Sequence, residues 1–190
     1  MRRVLEMGHG GFPMGDASNC SLAVFSKKLP PETIYFGIDE PSRKQSGSFL
    51  LPARITSGCV SAIEKACEVM HPRRIHFLRT DARSTRFGSG VFHEIHLHNV
   101  ITDPCVSLAD IRLIVAEARR LLAGGGIFIA SCEKSNIGEE RITEVHDAIE
   151  GSGMRRLGRF ILEDVTVFSR DLALLRETRG SYMIAAAKRA

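Results

Sequence analysis

Tryptophan is absent from the chain, and aromatic residues make up only 6% of it. No run of basic residues is interleaved with aromatics, so that sequence signal of nucleic-acid binding is absent. The five cysteines (Cys20, Cys59, Cys67, Cys105 and Cys132) form an odd set without a Cys-x-x-Cys pair. That argues against a disulfide framework and a zinc site, and for buried free thiols in a reduced, cytoplasmic setting. No apolar run approaches the roughly 20 residues of a membrane span. The first strand starts at Val4-Leu5, so a secretory leader before the fold is not expected. A net charge of +4 is mild. What remains is an ordinary globular composition, 44% hydrophobic and 25% charged over 190 residues. A single domain over residues 1–190 with a substantial core is expected.

Apolar runs and amphipathic stretches alternate along the chain. Strands are predicted at 3–7, 34–38, 74–79, 91–98 and 126–131, with two longer ones in the tail at 156–168 and 181–188. Val60, Ile63, Cys67 and Met70 line one face of a helix near 57–70. Leu108, Ile111, Val115, Ala118 and Leu122 line another near 107–123. The second opens on Ser107 and Asp110, a capping-box pattern, and is expected to stop at Gly124-Gly125-Gly126. A third helix is predicted at 138–150, with Ile142, Val145 and Ile149 inward. Strand–helix alternation argues for a parallel sheet covered on both faces, and the two terminal strands for an antiparallel hairpin at one edge. Residues 40–56, rich in Gly, Ser and Pro, read as a long loop, and loops of that length are commonly functional.

Three strand ends carry the chemistry. Glu6-Met7-Gly8-His9-Gly10-Gly11 follows the first strand, where glycines let backbone approach a ligand; an ordinary glycine turn is the alternative. Pro13 breaks a dinucleotide G-x-G-x-x-G pattern. Asp39 closes the second strand, where a carboxylate can hold both ribose hydroxyls, or serve only as a cap. Asp81 followed by Ala82 ends the third, an acceptor for an adenine edge beside a small residue that leaves room for the ring. Between 73 and 86, Arg73, Arg74, Arg79, Arg83 and Arg86 face one acid, Asp81, a patch suited to phosphates or simply a solvated rim. Glu94, His96 and His98 share one strand face and number enough for metal ligands. Polar residues near the C-terminal ends of central strands commonly line a crevice, however, and no metal is expected.

Taken together these segments resemble the class I S-adenosylmethionine-dependent methyltransferases. VLEMGHGG is similar to their first motif, YFGID to the acidic second motif, and DARSTRFGSGVFHEI to their Asp-Ala, polar crossing and Gly-x-Phe pattern. LLAGGGIFIAS is similar to the L-x-x-G-G turn into strand five. The order of these elements covers nearly the whole chain. The resemblance implies an α/β, doubly wound, mostly parallel seven-stranded sheet of order 3-2-1-4-5-7-6 with a C-terminal antiparallel hairpin. It implies S-adenosylmethionine as cofactor, with Gly8, His9 and Gly10 along its methionine part and Glu6 supporting the ammonium end. Asp39 would take the ribose hydroxyls, Asp81 and Ala82 would flank adenine, and His98, Asn99 and Val100 would face the methyl donor. The chain departs from the family in having His93 where Asp is common, a long gap between Gly10 and Asp39, and only Met1 and Arg2 before the first strand.

The expected activity is therefore methyl transfer to an acceptor, which the sequence leaves open among small molecule, RNA and protein. His98 is the candidate general base, since imidazole titrates near neutrality. Asn99-Val100-Ile101-Thr102 lacks the Asn-Pro-Pro-Tyr pattern of the amino-methylating nucleic-acid subclass. A NAD(P)-dependent oxidoreductase is the rival enzyme, and a non-catalytic module that binds a nucleoside or a partner protein is the rival of another class. Residues 40–56 are expected to act as a flap over the cofactor, and a homodimer is expected to help close the pocket.

Overall fold

The alternating patterns resolve into strands and helices close to the expected bounds. The structure is a computed structural model, and it describes residues 1–8, 31–39, 65, 68–69, 71–98, 100–101, 106–133, 139–162 and 181–189. The described strands are β1 (Arg2–Met7), β2 (Thr33–Asp39), β3 (Ile75–Arg79), β4 (Phe92–His98), β5 (Leu122–Glu133), β6 (Arg155–Leu162) and β7 (Ser181–Ala187). Two helices are described in full, α1 (Leu108–Leu121) and α2 (Glu139–Gly151). The strands form one sheet of order β3-β2-β1-β4-β5-β7-β6. All pairs from β3 to β5 are parallel, whereas β7 runs antiparallel to both β5 and β6. The expected sheet order and terminal hairpin are both present.

Register and the period of two divide the sheet into unlike faces. Leu5 and Met7 of β1 share a face with Ile38, Ile95, Leu97 and Phe128 of neighbouring strands. Against this face pack Ile111, Ile114, Val115, Ala118 and Leu121 of α1 with Val145 and Ile149 of α2. Burial of each such side chain stabilises the fold by roughly 1.5–3 kcal/mol. The opposite face carries Val4, Glu6, Tyr35, Glu94 and His96, all buried. Four of those five carry polar, titratable side chains, which is unusual for central parallel strands.

The capping box of α1 forms as the sequence indicates. The Ser107 Oγ accepts from the Asp110 amide at 3.1 Å, and the Asp110 carboxylate accepts from the Ser107 amide at 3.0 Å. The three glycines do not stop this helix, however. It ends at Leu121, Leu122 is already extended, and the glycines lie inside the start of β5. Between Phe92 and Glu94 of β4, β5 runs from Leu122 to Ile127, so its extra residues bulge out. Gly125 adopts a φ of +75°, and a Cβ on Gly126 would lie 3.0 Å from the Ala123 carbonyl oxygen. The glycines therefore serve a tight bulge beside β4. The helix expected near 57–70 falls largely outside the described residues, although Lys65, Glu68 and Val69 are helical.

Candidate functional site

The sheet order reverses at β1, which lies between β2 and β4, and in open α/β sheets ligands bind at the C-terminal strand ends beside such a switch point. Gly8 sits there. Its φ of +74° is in the left-handed region, and its N–H donates to the Ile38 carbonyl at 2.8 Å. A Cβ at this position would come within 2.5 Å of the Val100 Cγ2. Only glycine allows the turn after β1 to approach the segment after β4 this closely. Glu6 pairs in register with His96, so continuing two residues brings Gly8 level with His98, the last residue of β4. Asp39 ends β2 opposite Arg79 of β3, and Asp81 follows two residues on. Glu6, Gly8, Asp39, Asp81, Ala82 and His98 thus gather by topology at one sheet edge. His9, Gly10 and Asn99 lie outside the described residues, as do residues 40–56 and Pro13; the side chains of Asp39 and His98 are likewise not described.

Glu6 is wholly buried, and its Oε2 accepts from the Tyr35 hydroxyl at 2.5 Å. This partner, 29 residues away, escaped the sequence reading because it depends on β1–β2 register. Ala82 is half-buried and packs against the main core. Asp81 is held more elaborately. Its Oδ1 accepts from the Arg83 amide at 2.8 Å and from Arg83 Nε at 2.9 Å. Its Oδ2 accepts from Nη2 at 2.7 Å and from Nε at 3.0 Å. Arg83 also donates through Nη1 to Asp110 Oδ1 at 2.9 Å, tying the crossing segment to the first turn of α1. Hydrogen bonds from Arg83 lower the Asp81 pKa below the usual carboxylate range. The same guanidinium, with Ser107, lowers that of Asp110 to about 2.

Farther along the crossing, Thr85 donates from its amide at 2.8 Å and its hydroxyl at 2.7 Å to Glu117 Oε1. Arg120 donates to both oxygens of the same carboxylate. Burial would raise the Glu117 pKa, but the bonds from Arg120 and Thr85 prevail and lower it. Phe87 meets Phe36 and Phe92 edge-to-face at 5.7 and 5.0 Å. The basic run between 73 and 86 is divided: Arg73 and Arg74 precede β3, Arg79 ends it, and Arg83 is engaged by two carboxylates.

Glu94 and His96 meet as their shared face suggested, with Glu94 Oε2 3.2 Å from His96 Nε2, and Arg2 forms an ion pair with Glu94. Burial, with the charge of Arg2 second, lowers the His96 pKa to about 4. The contact is therefore a hydrogen bond from a neutral imidazole to a carboxylate whose charge Arg2 matches. Both residues lie within the strand rather than at its C-terminal end. Among the described residues no three of His, Cys, Asp and Glu gather closely enough to hold a metal ion.

No protein-family model and no curated protein sequence matches the chain. Solved structures do. A SAM-dependent methyltransferase from Methanosarcina mazei superposes over 98% of this chain and 92% of its own, at 12% identity and a TM-score of 0.59. The N-methyltransferase NodS from Bradyrhizobium japonicum, in complex with S-adenosyl-L-homocysteine, matches 100% of this chain and 79% of its own, at 12% identity and a TM-score of 0.58. A Haloferax volcanii methyltransferase in complex with a methyltransferase activator protein matches 100% of this chain and 82% of its own, at 14% identity and a TM-score of 0.61. The chain has the fold of the class I S-adenosylmethionine-dependent methyltransferases.

Proposed function

We propose that this chain is a methyltransferase that binds S-adenosylmethionine at the C-terminal edge of the sheet and transfers its methyl group to an acceptor. The observation that carries the reading is Gly8, a positive-φ turn packed on Val100 at the switch point, where a Cβ would fill the space. The residues suit the group. Gly8, His9 and Gly10 would hold the methionine part, with Glu6 supporting its ammonium end. Asp39 would take the ribose hydroxyls. Asp81 would accept from the adenine amino group, and Ala82 would leave space for the ring. His98, Asn99 and Val100 would serve the reacting centre, with His98 as the candidate base for the proton the acceptor gives up.

The cofactor supplies a methyl group already activated on a sulfonium, so the protein's work is in-line positioning and exclusion of water. Small molecules, RNA and protein are the acceptor classes to be tested by transfer of labelled methyl. A homodimer, or an activator such as the Haloferax neighbour has, would cover apolar surface beside the β3 edge, where Val69 is 71% and Leu78 41% exposed. Light scattering at micromolar concentration tests the homodimer; a 20.9 kDa particle that methylates efficiently would refute it.

Calorimetry tests the cofactor. Micromolar affinity is expected for S-adenosylmethionine or S-adenosylhomocysteine, on the order of −8 kcal/mol. Asp39→Ala should weaken it about tenfold by removing a charge-assisted acceptor, with the melting transition retained. Binding of NADH without binding of either sulfur nucleoside would overturn the reading.

A further inference from the structure

We propose that Arg83 is a positioning residue that fixes the Asp81 carboxylate so that it admits a 6-amino purine and refuses a 6-oxo purine, an inference that rests on the cofactor reading above.

A carboxylate on a crossing segment is ordinarily free to rotate, and one that rotates discriminates poorly between ligand edges. Here the carboxylate is held by its neighbour. Four donor contacts from Arg83 reach the two Asp81 oxygens, between 2.7 and 3.0 Å. The Nε is shared between the two oxygens, Nη2 donates to Oδ2, and the Arg83 amide donates to Oδ1. Two carboxylate oxygens offer about four lone-pair positions in all. Three donor groups of one residue thus engage the carboxylate and leave it one acceptor position for a ligand, with the planar guanidinium fixing how the carboxylate is turned.

Arg83 is itself held from the far side. Its Nη1 donates to Asp110, whose second oxygen accepts from the Ser107 amide at 3.0 Å and hydroxyl at 2.7 Å. The orientation of Asp81 is thus referred to the capped first turn of α1, a rigid element. Arg83 remains cationic and both acids remain ionised throughout the neutral range. An ionised carboxylate cannot donate. Facing adenine it accepts the exocyclic N–H. Facing hypoxanthine it meets a carbonyl oxygen, and the mismatch leaves two acceptors opposed. Arg83 makes this mismatch costly by preventing the carboxylate from turning away.

The experiment compares S-adenosylhomocysteine with its deaminated analogue, S-inosylhomocysteine, by calorimetry on the full chain. The readout is the ratio of the two dissociation constants within each variant, which a partial loss of folded protein does not move. Wild type is expected to favour the adenine compound strongly. Arg83→Ala should reduce the ratio about tenfold. Arg83→Lys should not restore it, because an ammonium keeps the charge but cannot grip both oxygens in a plane. A ratio unchanged in Arg83→Ala overturns the proposal, as does full restoration by lysine. A wild-type chain that binds neither compound overturns the cofactor reading instead, a distinct failure because no ratio then exists.

Discussion

At the residue scale, the glycine after β1 and the tyrosine under it carry different burdens. Gly8 has a positive φ and a neighbour, Val100, within 2.5 Å of any added Cβ. Gly8→Ala therefore combines backbone strain of about 1–3 kcal/mol with displacement of the segment after β4. Urea unfolding should register the loss, and calorimetry should register weaker cofactor binding in the fraction that folds. Tyr35 acts on Glu6, whose carboxylate has no exposure. Tyr35→Phe should lower stability by about 1–2 kcal/mol, since the ring remains and one buried hydrogen bond is lost. An unchanged urea midpoint would show that other partners of Glu6 compensate. The positions of Glu6, Gly8, Asp39 and Asp81 were legible in the sequence because each closes or follows an apolar run. Their partners were not. Tyr35 reaches Glu6 only through strand register, and Arg83 looked like one more basic residue until α1 placed Asp110 beside it.

At the element scale, legibility follows how local the determining contacts are. α1 could be read almost to the residue because its apolar period and its Ser107–Asp110 cap are both written within one turn or two. The start of β5 could not. Gly124-Gly125-Gly126 looks like a helix stop, and the pairing with β4 that makes it a bulge comes from a strand some 30 residues earlier in the chain. The crossing from β3 to β4 read as polar linker, yet Phe87 anchors it among aromatics and Thr85 anchors it to Glu117. Ser107→Ala tests how far the cap supports this arrangement. Loss of the cap should cost about 1 kcal/mol. It should also raise the Asp110 pKa from its depressed value, because one of the donors holding that carboxylate is gone. Urea titration reads the first effect, and the carboxyl carbon shift in NMR reads the second.

At the scale of the whole molecule, strand–helix alternation and two consecutive terminal strands made the parallel sheet and its edge hairpin legible, whereas the strand order followed from the resemblance of the motifs to the methyltransferase family. What alternation does not reveal is that one sheet face buries ionisable groups. Glu94 lies between Arg2 and His96, and burial lowers the His96 pKa to about 4 from an ordinary 6.5. The native state therefore refuses a proton that the unfolded chain accepts between those values. The sign follows from linkage: where the unfolded state binds more protons, stability rises with pH. The His96 contribution is fully present above pH 6.5 and is lost as pH falls to 4, by at most about 1.4 kcal/mol per pH unit. Asp110 acts in a lower window. Its folded pKa of about 2 lies under the ordinary 3.8, so its contribution is present above pH 3.8 and is lost as pH falls through 2. His96→Gln keeps an N–H donor for Glu94 and removes the titration. Urea midpoints measured from pH 7 to pH 3 should then flatten between 6.5 and 4 while the decline below 4 persists. If the variant lost stability as steeply as wild type across the upper window, His96 would not be the buried imidazole that resists protonation.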